Sequence, residues 1–149
     1  MKLLVAVDFA PSTPALLDAA KTLARQTGAT LTLLHAAAPD PDFVGYDSDP
    51  RILRDVVAKR LHDEHRQLQA LAQTLRDAGM ECTALLVQGA TADTILREAE
   101  KLSADMIVMG SQGKGMLKKL VLGSVSEGVL RQAHVPVLVV PVASHWIVI

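Results

Sequence analysis

A strand buried on both faces of a parallel sheet must be apolar at nearly every position, and this chain carries a series of such segments. Leu3–Val7 is a continuous apolar run that stops at Asp8. Thr30–His35, Cys82–Val87, Asp105–Met109 and Val135–Val140, the last broken by Pro136, read as further strands of similar length. The segments between them follow a helical period. After Thr13, a candidate cap, and Pro14, a favoured first helical residue, Leu16, Ala20, Leu23 and Ala24 recur on one face until Gly28. A long helix is expected from Pro50, capped by Asp49, to about Ala78. It should bury Ile52, Val56, Leu61, Leu68, Leu71 and Leu75 and stop at Gly79. Ile95, Leu96, Ala99 and Leu102 mark a helix over 91–102, and Ser124–Ala133 another.

Strict alternation of strand and helix predicts an α/β fold with a five-stranded parallel sheet and helices on both faces. Because crossovers are right-handed, few topologies remain, and the expected one is a Rossmann-like sheet of order 3-2-1-4-5. The chain then reverses direction across the sheet between its first and fourth strands. Ligands of open α/β sheets sit beyond the strand C-termini at that reversal, which here means Asp8 and Gly110.

The 149 residues contain no repeat, so residues 1–149 read as a single domain. Half of them are hydrophobic but only 3% aromatic, so aliphatic side chains must fill the core. A formal net charge of -1 with interspersed signs offers nucleic acid no electrostatic footprint. No run approaches the roughly 20 apolar residues of a membrane span. The opening MKLLVAV is interrupted by Asp8 and reads as a strand, not a leader. One cysteine, Cys82, excludes an internal disulfide and points to the reducing cytoplasm. Without a Cys-x-x-Cys partner it is expected to be a buried, unreactive thiol.

Chemistry concentrates in MGSQGKGMLKKLVLGSVSEGVL, from Met109 to Leu130. Gly110, Gly113 and Gly115 follow a strand, and Gly123 precedes a helix. Backbone without a Cβ approaches a ligand closely, and successive amides turned inward form an anion site. Ser124 and Ser126 stand in the first turn of the helix, where free N–H groups and the helix dipole favour phosphate. Lys114, Lys118 and Lys119 supply cations nearby. The bland alternative is that the glycines serve turns and that Ser124 with Glu127 forms a capping box. Two other phosphate motifs fail: Gly113-Lys114 continues with Gly115, not Ser or Thr, and DFAPST after Val7 has no glycine.

The spacing Gly110, two residues, Gly113, nine residues, Gly123-Ser124 resembles the ATP-binding signature of the universal stress protein family. The resemblance continues through LLVAVD, VQG at Val87–Gly89, DMIVMGSQG, LGSVSEGVL and VPVLVV. It implies a homodimer with ATP held between the first and fourth strands. Asp8 would lie near the ribose or a phosphate-bound Mg²⁺. Gly110, Gly113, Gly123, Ser124 and Ser126 would receive the triphosphate, with Lys114, Gly115 and Val125 beside them. Val7, Met109 and Leu34 would lie near the adenine, and Ser12 would match a serine of the loop after the first strand. Phe9, Ala10 and Pro11 depart from the smaller or more polar stretch of many relatives, and the tail 141–149 runs past the usual end of the fold. Its apolar HWIVI segment suits a dimer partner, a sheet edge or its own subunit.

The function implied is a nucleotide-responsive binding and signalling module. The alternatives are a slow Mg²⁺-dependent ATPase or self-phosphorylating protein, with Ser124 or Ser126 as acceptor, and an interaction protein that has the fold without the nucleotide. An efficient enzyme is not expected, since no water-activating base or nucleophile elbow is present. Asp8 could equally cap the helix that follows. His62 and His65, with Glu64 between them, lack the spacing of a two-histidine metal motif and read as a solvated face. His134 reads as structural.

Overall fold

The computed structural model describes residues 1–38, 50–111 and 122–141. Nine elements alternate along it: β1 (Lys2–Ala6), α1 (Thr13–Thr27), β2 (Thr30–Ala37), α2 (Pro50–Asp77), β3 (Cys82–Gln88), α3 (Thr91–Lys101), β4 (Met106–Gly110), α4 (Ser124–Gln132) and β5 (Val137–Val140). The strands form one parallel sheet in the order β3-β2-β1-β4-β5, the expected Rossmann-like topology.

Alternation along β1 divides the core in two. Leu3, Val5 and Val7 pack with Leu16, Leu17 and Ala20 of α1 and with Leu68, Ala72 and Leu75 of α2. Leu4, on the opposite face, joins Leu34, Ile107 and Met109 against Ile95 and Ala99 of α3 and Val129 of α4. Helices therefore cover both faces, which is why the strand sequences are apolar without a polar period. On one face α4 meets α3 closely enough that a Cβ on Gly128 would lie 3.1 Å from the Ala92 Cβ.

Several local expectations are corrected. Ile52 and Val56 are 62% and 60% exposed, not buried. The reason is length: the 28 residues of α2 rise about 42 Å, whereas the eight of β2 span about 26 Å, so the first turns of α2 outrun the sheet. Only its later residues, led by Leu68 and Leu75, reach the core, with Leu61 and Leu71 half-buried. Ser12, not Thr13, occupies the cap position of α1, and the Thr13 hydroxyl donates to the Ala10 carbonyl at 2.6 Å. The capping box at α4 does not form: Gly123 is its N-cap residue, no side chain caps it, and Glu127 meets Arg131 at 3.5 Å. β2 runs two residues further than its apolar run, to Ala37, and β5 starts only after Pro136, whose carbonyl accepts the Ile107 N–H at 3.0 Å.

Cys82 is buried at the start of β3, as its apolar surroundings suggested. Burial pushes its thiol up to about 11, against the nearby Arg76 guanidinium, which favours the thiolate. Asp49, the lysines 114, 118 and 119, and the tail beyond Pro141 lie outside the described residues. Among the described residues no helix is long and apolar enough to cross a membrane.

Candidate functional site

The reversal in strand order leaves a cavity of about 290 Å³ beyond the C-terminal ends of β1 and β4. Val7, Asp8 and Ser12 line it from the β1–α1 connection, Leu34 from β2, and Met109 and Gly110 from the end of β4. Gly123, Ser124, Val125 and Ser126 close it from the start of α4. Ten of the residues singled out in the sequence thus converge on one space, although they come from four separate stretches of chain. Gly113, Lys114 and Gly115 lie outside the described residues.

The local geometry explains how each part is held. Asp8 Oδ1 accepts the Ala10 N–H at 3.0 Å, so its carboxylate braces the turn into α1. Phe9, next to it, has φ +59°, a left-handed conformation that costs a bulky residue energy and is retained here by the surrounding packing. The Ser126 side chain is buried, and its hydroxyl donates to the carbonyls of Gly110 at 2.9 Å and Ser111 at 3.3 Å. That proton fastens α4 to the end of β4. The Gly123 N–H is likewise committed, to the Ser111 carbonyl at 3.0 Å.

What α4 presents to the cavity is therefore its next amides. The N–H groups of Ser124, Val125 and Ser126 have no partner one turn earlier inside the helix, and among the described residues no side chain caps them. With the helix dipole they favour an anion.

The opposite wall was not anticipated. Leu16, His35, Ala36, Thr91 and Ile95 also line the cavity. β1 pairs with β2 only as far as Ala6↔Leu34, with the Val7 N–H reaching the Leu34 carbonyl at 2.8 Å. β2 continues to Ala37, whose carbonyl faces β3 and accepts the Gly89 N–H at 3.0 Å. Backbone groups of alternate residues address opposite neighbours, so the N–H and C=O of Ala36 turn toward the side that β1 has vacated. A donor and an acceptor, side by side, border the cavity at the end away from α4. The only sequence signal for this was the three alanines that follow His35 before Pro39.

Asp8 is the one carboxylate among the described cavity residues. No group of three or more His, Cys, Asp or Glu able to hold a metal occurs among the described residues. His62 accepts from Arg66 at 3.0 Å and His65 pairs with Gln69 at 3.3 Å, both on the exposed side of α2. A more open, mainly apolar groove of about 570 Å³ lies between α1 and α2.

The universal stress protein family profile matches residues 1–141. A universal stress protein of Thermus aquaticus is 39% identical over 121 residues, covering 81% of this chain and 84% of the relative. Among solved structures, the MJ0577 protein of Methanocaldococcus jannaschii superimposes with a TM-score of 0.82 at 28% identity, covering 93% of this chain and 94% of its own. The Archaeoglobus fulgidus universal stress protein, solved with dAMP, shares the fold with a TM-score of 0.64 at 24% identity, over 94% and 97% of the two chains. By the reach of this match and the agreement of its sheet order, the chain belongs to the universal stress protein family.

Proposed function

We propose that the chain is a nucleotide-responsive binding module that takes ATP, with Mg²⁺, into the cavity between β1 and β4. The observation that carries this reading is the pairing of two unlike walls across one cavity. At one end the uncapped amides of Ser124, Val125 and Ser126 suit a phosphate. At the other the C=O and N–H of Ala36 match the amino group and ring nitrogen that adenine carries side by side. Leu34, Ile95 and Met109 provide the apolar surface that a purine needs between them. The same fold in the Archaeoglobus fulgidus protein holds dAMP.

Mg²⁺ fits the cavity as a companion of the phosphates. A single carboxylate, Asp8, is what such a site needs, because Mg²⁺ keeps several waters and is otherwise bound by phosphate oxygens. Gly113, Lys114 and Gly115 belong to the proposed triphosphate site by their place in the signature. Response to the nucleotide requires no turnover; differential affinity for two states of the protein or its assembly is enough. We place it in the cytoplasm as a homodimer. β5 ends the sheet with Leu138 37% exposed, an edge that a second copy would cover.

Two measurements test the reading. Calorimetric titration of the purified chain with ATP and Mg²⁺ should saturate at one nucleotide per chain, and no binding at millimolar nucleotide removes the proposal. Acid extraction of freshly purified protein identifies the nucleotide carried: recovered ATP supports slow or absent turnover, and recovered ADP argues for hydrolysis.

A further inference from the structure

His35 is a nearly buried titratable group at the cavity for which nucleotide binding alone gives no reason. Its side chain is 12% exposed, and Nδ1 lies 2.7 Å from the Val7 carbonyl. A carbonyl only accepts, so Nδ1 carries a proton. Nε2, on the other side of the ring, lies 3.3 Å from Glu64 Oε2 on α2. That oxygen is buried and has no hydrogen-bond partner among the described residues, where the imidazole is its compensation. When Nε2 is protonated the contact is an ion pair. When it is not, a lone pair faces a carboxylate.

The same ring packs against Phe9, with centroids 4.5 Å apart. It therefore touches the end of β1, the left-handed turn beside Asp8, and α2. Two other charged groups are near. Asp8 shares the cavity, with Oδ1 turned to the Ala10 N–H. Arg60, one turn before Glu64 on α2, donates from Nη2 to the Ala38 carbonyl at 3.1 Å, and its Nε is buried without a partner among the described residues.

We infer that His35 and Glu64 form a proton-dependent link that positions the end of β1 and the Phe9 turn for the nucleotide, so that affinity at this cavity falls as Nε2 loses its proton. The inference rests on the proposed nucleotide site and adds a regulation to it. With the link made, α2 is drawn onto the cavity wall and the Val7 carbonyl and Phe9 ring are held from both sides. With it broken, the wall keeps the Nδ1 contact and the Phe9 packing but loses its tie to α2. The sign follows: binding is strongest on the acid side and weakens as pH rises. A coupling at the low end of the usual range changes affinity about fivefold.

The test is calorimetry of the full chain with ATP and excess Mg²⁺ between about pH 5 and about pH 8, where an imidazole changes charge. Wild type should weaken about fivefold across that range. In Glu64→Gln the amide N–H donates to an unprotonated Nε2, so this variant should hold its acid-side affinity throughout, and ATP's own titration is common to both proteins. A Glu64→Gln profile that follows wild type overturns the link and leaves the nucleotide site standing. Absence of ATP binding by wild type at every pH removes the site and this regulation together. Nitrogen-15 spectra of the unliganded His35 ring supply a reading independent of ATP. Neutral His35 should carry its proton on Nδ1, facing the Val7 carbonyl; a neutral ring protonated on Nε2 overturns the inference.

Discussion

Gly123→Ala separates stability from binding at the start of α4. Gly123 has φ −65° and ψ 160°, a conformation open to any L-residue, so the backbone does not require glycine. Alanine is a poorer N-cap residue, which should cost about 0.5–1 kcal/mol. For a chain of this size that lowers Tm by roughly 1–4 °C. Binding should suffer far more. Gly123 is buried and lines the cavity, and the proposed site has phosphate closing on its backbone to reach the amides of Ser124–Ser126, space that a Cβ about 1.5 Å from the Cα would contest. Moving the anion by that distance breaks a charge-assisted hydrogen bond of about 1.5–3 kcal/mol, which is about a tenfold to hundredfold loss of ATP affinity. Thermal unfolding and calorimetric titration of the same preparation read both numbers. A variant that binds ATP as wild type does would refute the claim that phosphate meets the backbone here. A Tm lowered by more than about 10 °C would refute the claim that this backbone tolerates a side chain.

Ser126→Ala removes the hydroxyl that joins α4 to the carbonyls of Gly110 and Ser111, and should destabilise by about 1–2 kcal/mol, seen as a lower urea midpoint at unchanged slope. Along α2, Leu68→Ala should cost about 2–5 kcal/mol, whereas Val56→Lys should stay within about 0.5 kcal/mol; equal losses in urea unfolding would mean that the first turns of α2 are buried after all. With its thiol at about 11, Cys82 is roughly one part in a thousand thiolate at pH 8 in the folded protein, so iodoacetamide should label it slowly until denaturant exposes it and restores an ordinary thiol. Labelling at the same rate before and after denaturation would contradict both its burial and its raised pKa.

The sheet could be read from the sequence because β1 is apolar on both faces and short strand-like runs alternate with helical ones, a pattern that a covered parallel sheet explains. Handedness left few possible orders, of which the expected 3-2-1-4-5 is the one observed. Periodicity alone could not say where α2 leaves the sheet, since Ile52 and Val56 keep the helical spacing of Leu68 and Leu75 while standing in solvent. The α4 side of the cavity was visible because glycine and serine at a helix start have a chemical meaning in any context. On the β2 side only Leu34 was, and that through the family resemblance. His35 and Ala36 acquire a role only through the length of β2 relative to β1, and Thr91 and Ile95 only through the helix that the topology brings over them. Ser126 shows the reverse case: its hydroxyl faces the polar end of the cavity in sequence logic but is spent on a carbonyl in the fold.

The unequal lengths of β1 and β2 make the cavity a missing piece of sheet. β1 stops at Ala6 while β2 goes on to Ala37, so one rung of the backbone ladder, at Ala36, is left for something other than protein to fill. A planar base edge seated there would act as the next residue of β1. Occupancy would then be written into the backbone itself: the Ala36 amide should exchange its hydrogen quickly in the empty protein and slowly in the filled one, as amides do when a strand is added beside them.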